Sequence, residues 1–429
     1  MTTLITIIIF VISYCLLMLE KWNRAVVALT GGVLLLICNV FEWEEAFGFI
    51  DWSTIALLFS MMVLVSITKK TGIFTYVAIK LAQIVKGRPV PLLLVSGIFT
   101  AIGSAFLDNV TTVLLFVPVL LSLVKQLKLP AFPYLVTTIF ASNIGGAATL
   151  IGDPPNIMIG QAVDHFSFLS FLNHMGPVVT IVFIVVMFLM ILIFKNKLHY
   201  NKELADEFLN QDANQHLVKD KLLYRSLSVL FLTIFGFMLH PFIHMDITTI
   251  AVSGALLLLF LTDKCIEVEQ VFQEVEWVTL FFFIGLFMLV GGLQTVGLID
   301  ELARAMVWVS DGDLPFTSML MLWSSGILSG IVDNIPFVAA MIPVVQELQG
   351  YGMMNVDPIW WSLALGACLG GNGTLIGASA NVVVAGLAAS YKEPIPFVKF
   401  ALYGVPIMLL SLLICTVYIF LRYLVPFLS

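Results

Sequence analysis

Hydrophobic residues in this chain come in long, nearly unbroken runs separated by short polar loops. Runs long enough to cross a bilayer cover roughly 3–19, 25–41, 52–68, 133–162, 168–195, 222–243, 247–262, 277–296, 358–388 and 398–425. This pattern predicts an all-α polytopic membrane protein with about ten transmembrane helices. Two more apolar stretches, 91–126 and 314–348, are broken near their middles by "FLDNVTTVLLFVPV" (106–119) and "IVDNIPFVAAMIPV" (331–344). Each places an Asp-Asn pair, Asp108-Asn109 or Asp333-Asn334, inside apolar sequence. A charge at the bilayer centre costs about 2.5–3.5 kcal/mol on insertion scales, so such pairs call for a partner or a function.

Lys and Arg in short loops set the orientation. Lys21 and Arg24 mark one cytoplasmic loop, and Lys69, Lys70, Lys80, Lys86 and Arg88 mark the next. Lys125 and Lys128 follow the 91–126 stretch, so both its ends are basic and it reads as a re-entrant hairpin dipping in from the cytoplasm. The stretch 314–348 lies between Asp311, Asp313 and Glu347 and reads as a hairpin entering from outside. The polar segment 196–221 reads as a cytoplasmic linker, and both termini fall outside. Loop 263–276 should be cytoplasmic, although it holds Lys264 among several acids.

An offset of 225 positions carries one half of the chain onto the other. Trp52 maps to Trp277, Gly72 to Gly297, Ser104 to Ser329, Asp108 to Asp333, Asn109 to Asn334 and Pro118 to Pro343. Farther on, Thr149 maps to Thr374, Gly152 to Gly377 and Asn156 to Asn381. About five crossings separate equivalent points, an odd number, so the repeats at 1–195 and 222–429 have opposite orientation. Secondary transporters are often built this way.

Composition agrees: 60% of residues are hydrophobic and 11% charged, against about 45–50% and 25% in soluble domains. The net charge of -7 says little about partners, and nothing suggests nucleic acid. The first apolar run has no basic segment before it and no small-residue cleavage site, so it is expected to be a retained helix. The five cysteines are isolated and read as packing residues. No P-loop pattern is present, which argues against ATP hydrolysis within this chain, although a partner ATPase stays open. No zinc motif such as HExxH, or nucleophile with its base, points to an enzyme, and no cofactor is expected.

The stretches "NIGGAATLIGDPPNIMIG" (143–160) and "CLGGNGTLIGASANVVVAG" (368–386) read as helices broken at membrane depth, about 133–162 and 358–388. Irregular backbone survives there only when buried in protein or lining a cavity. The two hairpin tips and two breaks should therefore converge on one site. Asp108 and Asp333 would carry a coupling proton or cation, with a possible Na⁺ site at Asp108, Asn109, Asp333 and Asn334. Helix N-capping is the alternative reading of both acids. Thr149, Asn156, Thr374 and Asn381 would line the site or satisfy backbone at the breaks. Asn372 has Ala147 as its counterpart and would weight the site toward one half. Asp153, opposite Ala378 and followed by Pro154, reads as a helix cap. Cys368 reads as packing, and His240 and His244 as a surface loop.

These hairpin and break motifs resemble the ArsB/NhaD group of the ion transporter superfamily, including its P protein branch, over nearly the whole chain. The resemblance implies a scaffold and a transport domain per protomer, a homodimer and elevator-type alternating access. Divalent-anion/sodium symporters, which are similar, carry Ser-Asn-Thr at both tips. Asp at positions 108 and 333 disfavours a dicarboxylate and fits a proton, Na⁺ or a neutral solute. The expected function is a proton-coupled antiporter exporting a small inorganic solute, arsenite or Na⁺, with Na⁺-coupled uptake of a dicarboxylate or other anion as the alternative. The expected location is a bacterial inner membrane.

Overall fold

A computed structural model describes residues 2–19, 21–218, 220–353 and 355–425. The described residues form helices and turns with no β-strand, which establishes the all-α polytopic architecture. Eight helices among them are long and apolar enough to cross a membrane, and two of these, Pro89–Leu107 and Asn109–Gln126, are the arms of the first hairpin. Ala131–Gly146 and Pro154–Ala162 are separated by a non-helical stretch, as are Asp357–Gly370 and Ser379–Ser390. Arg24–Ile37, with 14 residues, is shorter than the expected 25–41 crossing. At 1.5 Å per residue it rises about 21 Å, less than a typical hydrocarbon core.

The two repeats are interlaced. Arg24–Ile37 packs along Trp277–Thr295 of the other repeat, and Ile247–Thr262 packs along Trp52–Lys69. Within each repeat the first hairpin arm lies against the first half of the broken helix: Pro89–Leu107 on Ala131–Gly146, and Leu314–Ser329 on Asp357–Gly370. The second arms cross over. Asn109–Gln126 packs on Ser379–Ser390, and Asn334–Leu348 packs on Pro154–Ala162. Gly145 and Gly370 permit the close approach, because a Cβ there would run into the backbone of Ala101 and Gly326 respectively.

Local sequence sets where these elements begin. Pro lies in the first turn of the arms starting at Pro89 and Leu314 and of the helices starting at Pro154 and Asp357, where a missing N–H costs nothing. Asp51 caps Trp52–Lys69 by accepting from Ser53 N at 3.0 Å and Thr54 N at 3.1 Å. Pro118 and Pro343 sit inside the second arms at equivalent positions, tolerated because packed neighbours surround them. The amphipathic helices Ile73–Ile84 and Leu298–Ser310 each follow a left-handed glycine, Gly72 (φ 73°) and Gly297 (φ 75°), a conformation that a Cβ disfavours.

Segment 196–221 folds into Lys202–Leu209 and a 3₁₀ turn at Ala213–His216 that lies on Ile73–Ile84. Ala205, Phe208 and Ala213 are buried there, Gln83 Nε2 donates to Gln211 O at 2.8 Å, and Val218 N donates to Thr71 O at 3.0 Å. His240 and Pro241 belong to the last turn of helix Lys221–Ile243 rather than to a loop, and only His244 lies beyond it.

Candidate functional site

The breaks are held by hydrogen bonds that repeat at the same offset as the sequence. Ser104 Oγ donates to Ser142 O at 2.6 Å, and Ser329 Oγ donates to Ala367 O at 2.7 Å. The Thr149 hydroxyl donates to Ala105 O, as Thr374 Oγ1 does to Gly330 O at 2.7 Å. Asn156 Nδ2 reaches Thr149 O at 2.9 Å, and Asn381 Nδ2 reaches Thr374 O at 2.9 Å and Gly371 O at 2.7 Å. Broken backbone frees carbonyls that need donors. Thr149 and Thr374 use their hydroxyl protons on this task, and so do the amide groups of Asn156 and Asn381.

The oxygen ends of those two asparagines point across the molecule. Asn143 Nδ2 donates to Asn381 Oδ1 at 2.9 Å and to Asn372 Oδ1 at 3.0 Å. Its counterpart in the other repeat is Cys368, whose thiol donates to Asn156 Oδ1 at 3.4 Å. One geometry therefore uses a strong amide donor in one repeat and a weak thiol donor in the other. All five side chains are fully buried. Asn143 was not among the sequence candidates, and Cys368 is more than packing.

The three acids differ. Asp108 caps the second arm of the first hairpin, accepting from Thr111 N at 2.8 Å. It is the single residue between the two arms and has φ 79° and ψ 156°, a region that strains any residue with a Cβ. Asp333 ends a looser tip, Gly330–Asp333, with φ -49°. Its carboxylate accepts from Ile335 N at 3.2 Å and Ser379 Oγ at 2.6 Å, and lies 3.9 Å from the guanidinium of Arg24. Capping thus holds for both tip acids. Both are half-buried, and among the described residues no hydrogen bond joins one to the other.

The buried acid is Asp153. It stands at the N-cap of Pro154–Ala162, but its side chain makes no cap bond, contrary to the sequence reading. Its carboxylate instead accepts from Asn334 Nδ2 at 3.1 and 3.3 Å, across the interface between the repeats. Asp153 is 1% exposed and Asn334 2%. Among the described residues its ion pairs with Lys or Arg are none, and Asp108, Asp333 and the Cys368 thiol lie within its electrostatic reach. Hydrogen bonds thus link the first break to the second tip through Asp153 and Asn334, and the two breaks to each other through Asn143, Asn372 and Asn381.

Several buried polar atoms of these elements have no hydrogen-bond partner: Asn109 Oδ1, Thr112 Oγ1, Asn143 Oδ1 and Asn372 Nδ2. Buried polar atoms are normally paired, and these four find no partner among the described residues. Among the described residues no three His, Cys, Asp or Glu are placed to hold a metal ion.

Comparison with known proteins places these features in context. A family model described as citrate transporter matches residues 14–366. The chain is 39% identical to a 46 kDa membrane protein of Mycobacterium leprae over 99% of both chains. It is 38% identical to an uncharacterized transporter of Mycobacterium tuberculosis, again over 99% of both. The P protein of Homo sapiens is 34% identical over 94% of this chain and 58% of its own length. The crystal structure of the Alcanivorax borkumensis YdaH transporter aligns over 97% of both chains with a TM-score of 0.57 at 14% identity, a likeness of fold.

Proposed function

This chain belongs to the citrate transporter family, and from that premise we propose that it is a proton-coupled antiporter in which Asp153 carries the coupling proton. That it is a membrane transporter follows from the family itself. The coupling reading rests on one observation: the buried carboxylate of Asp153 has a neutral amide as its hydrogen-bond partner and lies where the two repeats meet. An uncompensated intramembrane carboxylate is costly, and a proton or small cation removes that cost by binding. If cargo and proton compete for the same carboxylate, the gradient of one drives the other.

The lining bears on the cargo. Asp153, with carboxamides around it and no ion pair to Lys or Arg among the described residues, suits a cation such as Na⁺ or an uncharged oxyacid such as arsenite, which is mostly neutral at cytoplasmic pH. Export of such a solute in exchange for protons is the reading we adopt, in keeping with the ArsB/NhaD resemblance. In the elevator version of this cycle, the hairpins and broken helices move together against Arg24–Ile37, Trp277–Thr295 and their repeat counterparts. Homodimer formation and residence in a bacterial inner membrane belong to the same proposal.

A second reading, Na⁺-driven uptake of a dicarboxylate or other anion, has its own support. Asn109 Oδ1 and Thr112 Oγ1 are unpartnered neutral oxygens near the first tip, the donor type that hard cations prefer. One experiment separates the readings. The protein is reconstituted in vesicles, and internal pH is followed while Na⁺, Li⁺, arsenite or succinate is added in turn. Proton movement on adding Na⁺ or arsenite supports antiport. Labelled succinate uptake that needs Na⁺ and moves no protons supports the second reading and overturns the first.

A further inference from the structure

Beside the second hairpin tip lies a cavity of about 240 Å³ whose wall combines one guanidinium with a mainly apolar surface. Arg24 comes from the scaffold side, at the start of Arg24–Ile37, and Asp333 and Ser379 come from the tip and the second break. The other lining residues, among them Phe282, Pro336 and Val383, are all apolar.

Arg24 is ion-paired with Asp333 at 3.9 Å, and its hydrogen bonds go to other groups. Its Nη1 donates to Ser379 Oγ at 2.5 Å and its Nη2 to Thr279 Oγ1 at 2.8 Å, both neutral hydroxyls. Its guanidinium lies 5.3 Å from the Phe282 ring centroid, a cation–π contact that fixes its plane. Asp333, at 3.9 Å, is beyond hydrogen-bond distance and has two donors of its own. The remaining N–H groups of the Arg24 fork are available to a planar oxyanion, which a guanidinium binds in bidentate fashion.

We infer that this cavity binds an amphipathic monocarboxylate, with the carboxylate on Arg24 and its hydrocarbon body against Phe282, Pro336 and Val383. Arg24 already shares its charge with Asp333, so the cavity takes no more than a single added negative charge. A dianion would leave its second charge on an apolar wall or against Asp333, which excludes dicarboxylates and phosphate monoesters. An inorganic ion would leave the apolar wall unused. The volume corresponds to about eight waters at roughly 30 Å³ each, suited to a body of several carbons. Exposed Trp22 and Ile331 form part of the wall, so the body can enter from the molecule's surface. The site is separate from the coupling role given to Asp153 and stands or falls without it.

The test uses full-length protein in nanodiscs, with octanoate, octanol and octylamine as probes and empty nanodiscs as the blank. Calorimetry and melting temperature report binding. Octanoate should bind saturably and raise the melting temperature, and octanol and octylamine at equal concentration should not. Arg24→Gln should weaken octanoate binding at least tenfold, and Asp333→Asn should tighten it by removing the nearby like charge. Val383→Trp, which fills the apolar half and leaves Arg24 in place, should abolish it even if Arg24→Gln fails to fold. Equal stabilisation by octanol, or wild-type octanoate affinity in Val383→Trp, would overturn the assignment.

Discussion

Asp153 accepts a hydrogen bond from Asn334 at 3.1 Å across 181 positions of the chain. The contact joins the break of one repeat to the hairpin tip of the other, so a proton or cation arriving at Asp153 changes the interaction that links the two halves. Chemistry at one carboxylate can in this way be felt by both elements. A protonated Asp153 would still bond the amide, but without the charge that strengthens the contact.

The tip acids should tolerate loss of charge structurally. Asparagine caps helices about as well as aspartate, and the half-buried Arg24–Asp333 pair, at 3.9 Å, belongs to a class worth less than about 1 kcal/mol. Asp108→Asn and Asp333→Asn should therefore melt close to the wild type in detergent. If both acids tune Asp153 electrostatically, each variant should change the proton-coupled flux severalfold at equal protein in the vesicles. Full wild-type flux in both would remove the tip acids from the coupling machinery.

Asn143 and Cys368 occupy equivalent positions but should not be equally important. Asn143→Ala strands the oxygens of Asn372 and Asn381 in a buried site, and each stranded group costs about 1–3 kcal/mol. Cys368→Ala removes only a weak thiol donor and should cost about 1 kcal/mol or less. Thermal unfolding of the two variants under identical conditions checks the order; equal melting temperatures would deny the bond from Asn143 its structural weight.

The repeat was the legible part of the fold. Its offset located Asp108 and Asp333, Thr149 and Thr374, and Asn156 and Asn381, and the hydrogen bonds at the breaks follow the same offset. What symmetry could not reveal were residues without a matching counterpart. Asp153 faces Ala378 and Asn143 faces Cys368, so both fell outside a search for repeated polar positions. The Asp-Pro pair at 153–154 also looks like a helix start, which it is in backbone but not in side chain. A buried acid with an unmatched counterpart was the available signal. Arg24 was read only for its charge in a loop, because its partners Thr279, Ser379 and Asp333 are distant in sequence.

Topology can be checked with the native thiols. Cys265 is exposed in the loop after Ile247–Thr262, Cys15 is exposed on an apolar helix, and Cys368 and Cys415 are buried. A membrane-impermeant maleimide should label Cys265 in inside-out vesicles and leave it unmodified in intact cells, as a cytoplasmic 263–276 loop requires. Labelling of Cys265 from outside would invert the assigned orientation, and with it the direction in which each hairpin enters.

The most direct test of the central claim is proton movement in vesicles containing Asp153→Asn, compared with wild type at matched protein amount. Asparagine keeps the shape of the side chain and an oxygen for Asn334, so the protein should fold and insert. The account predicts that solute-driven change of internal pH falls at least tenfold, with a melting temperature close to wild type. A variant that moves protons at the wild-type rate would contradict it and return the coupling ion to another group.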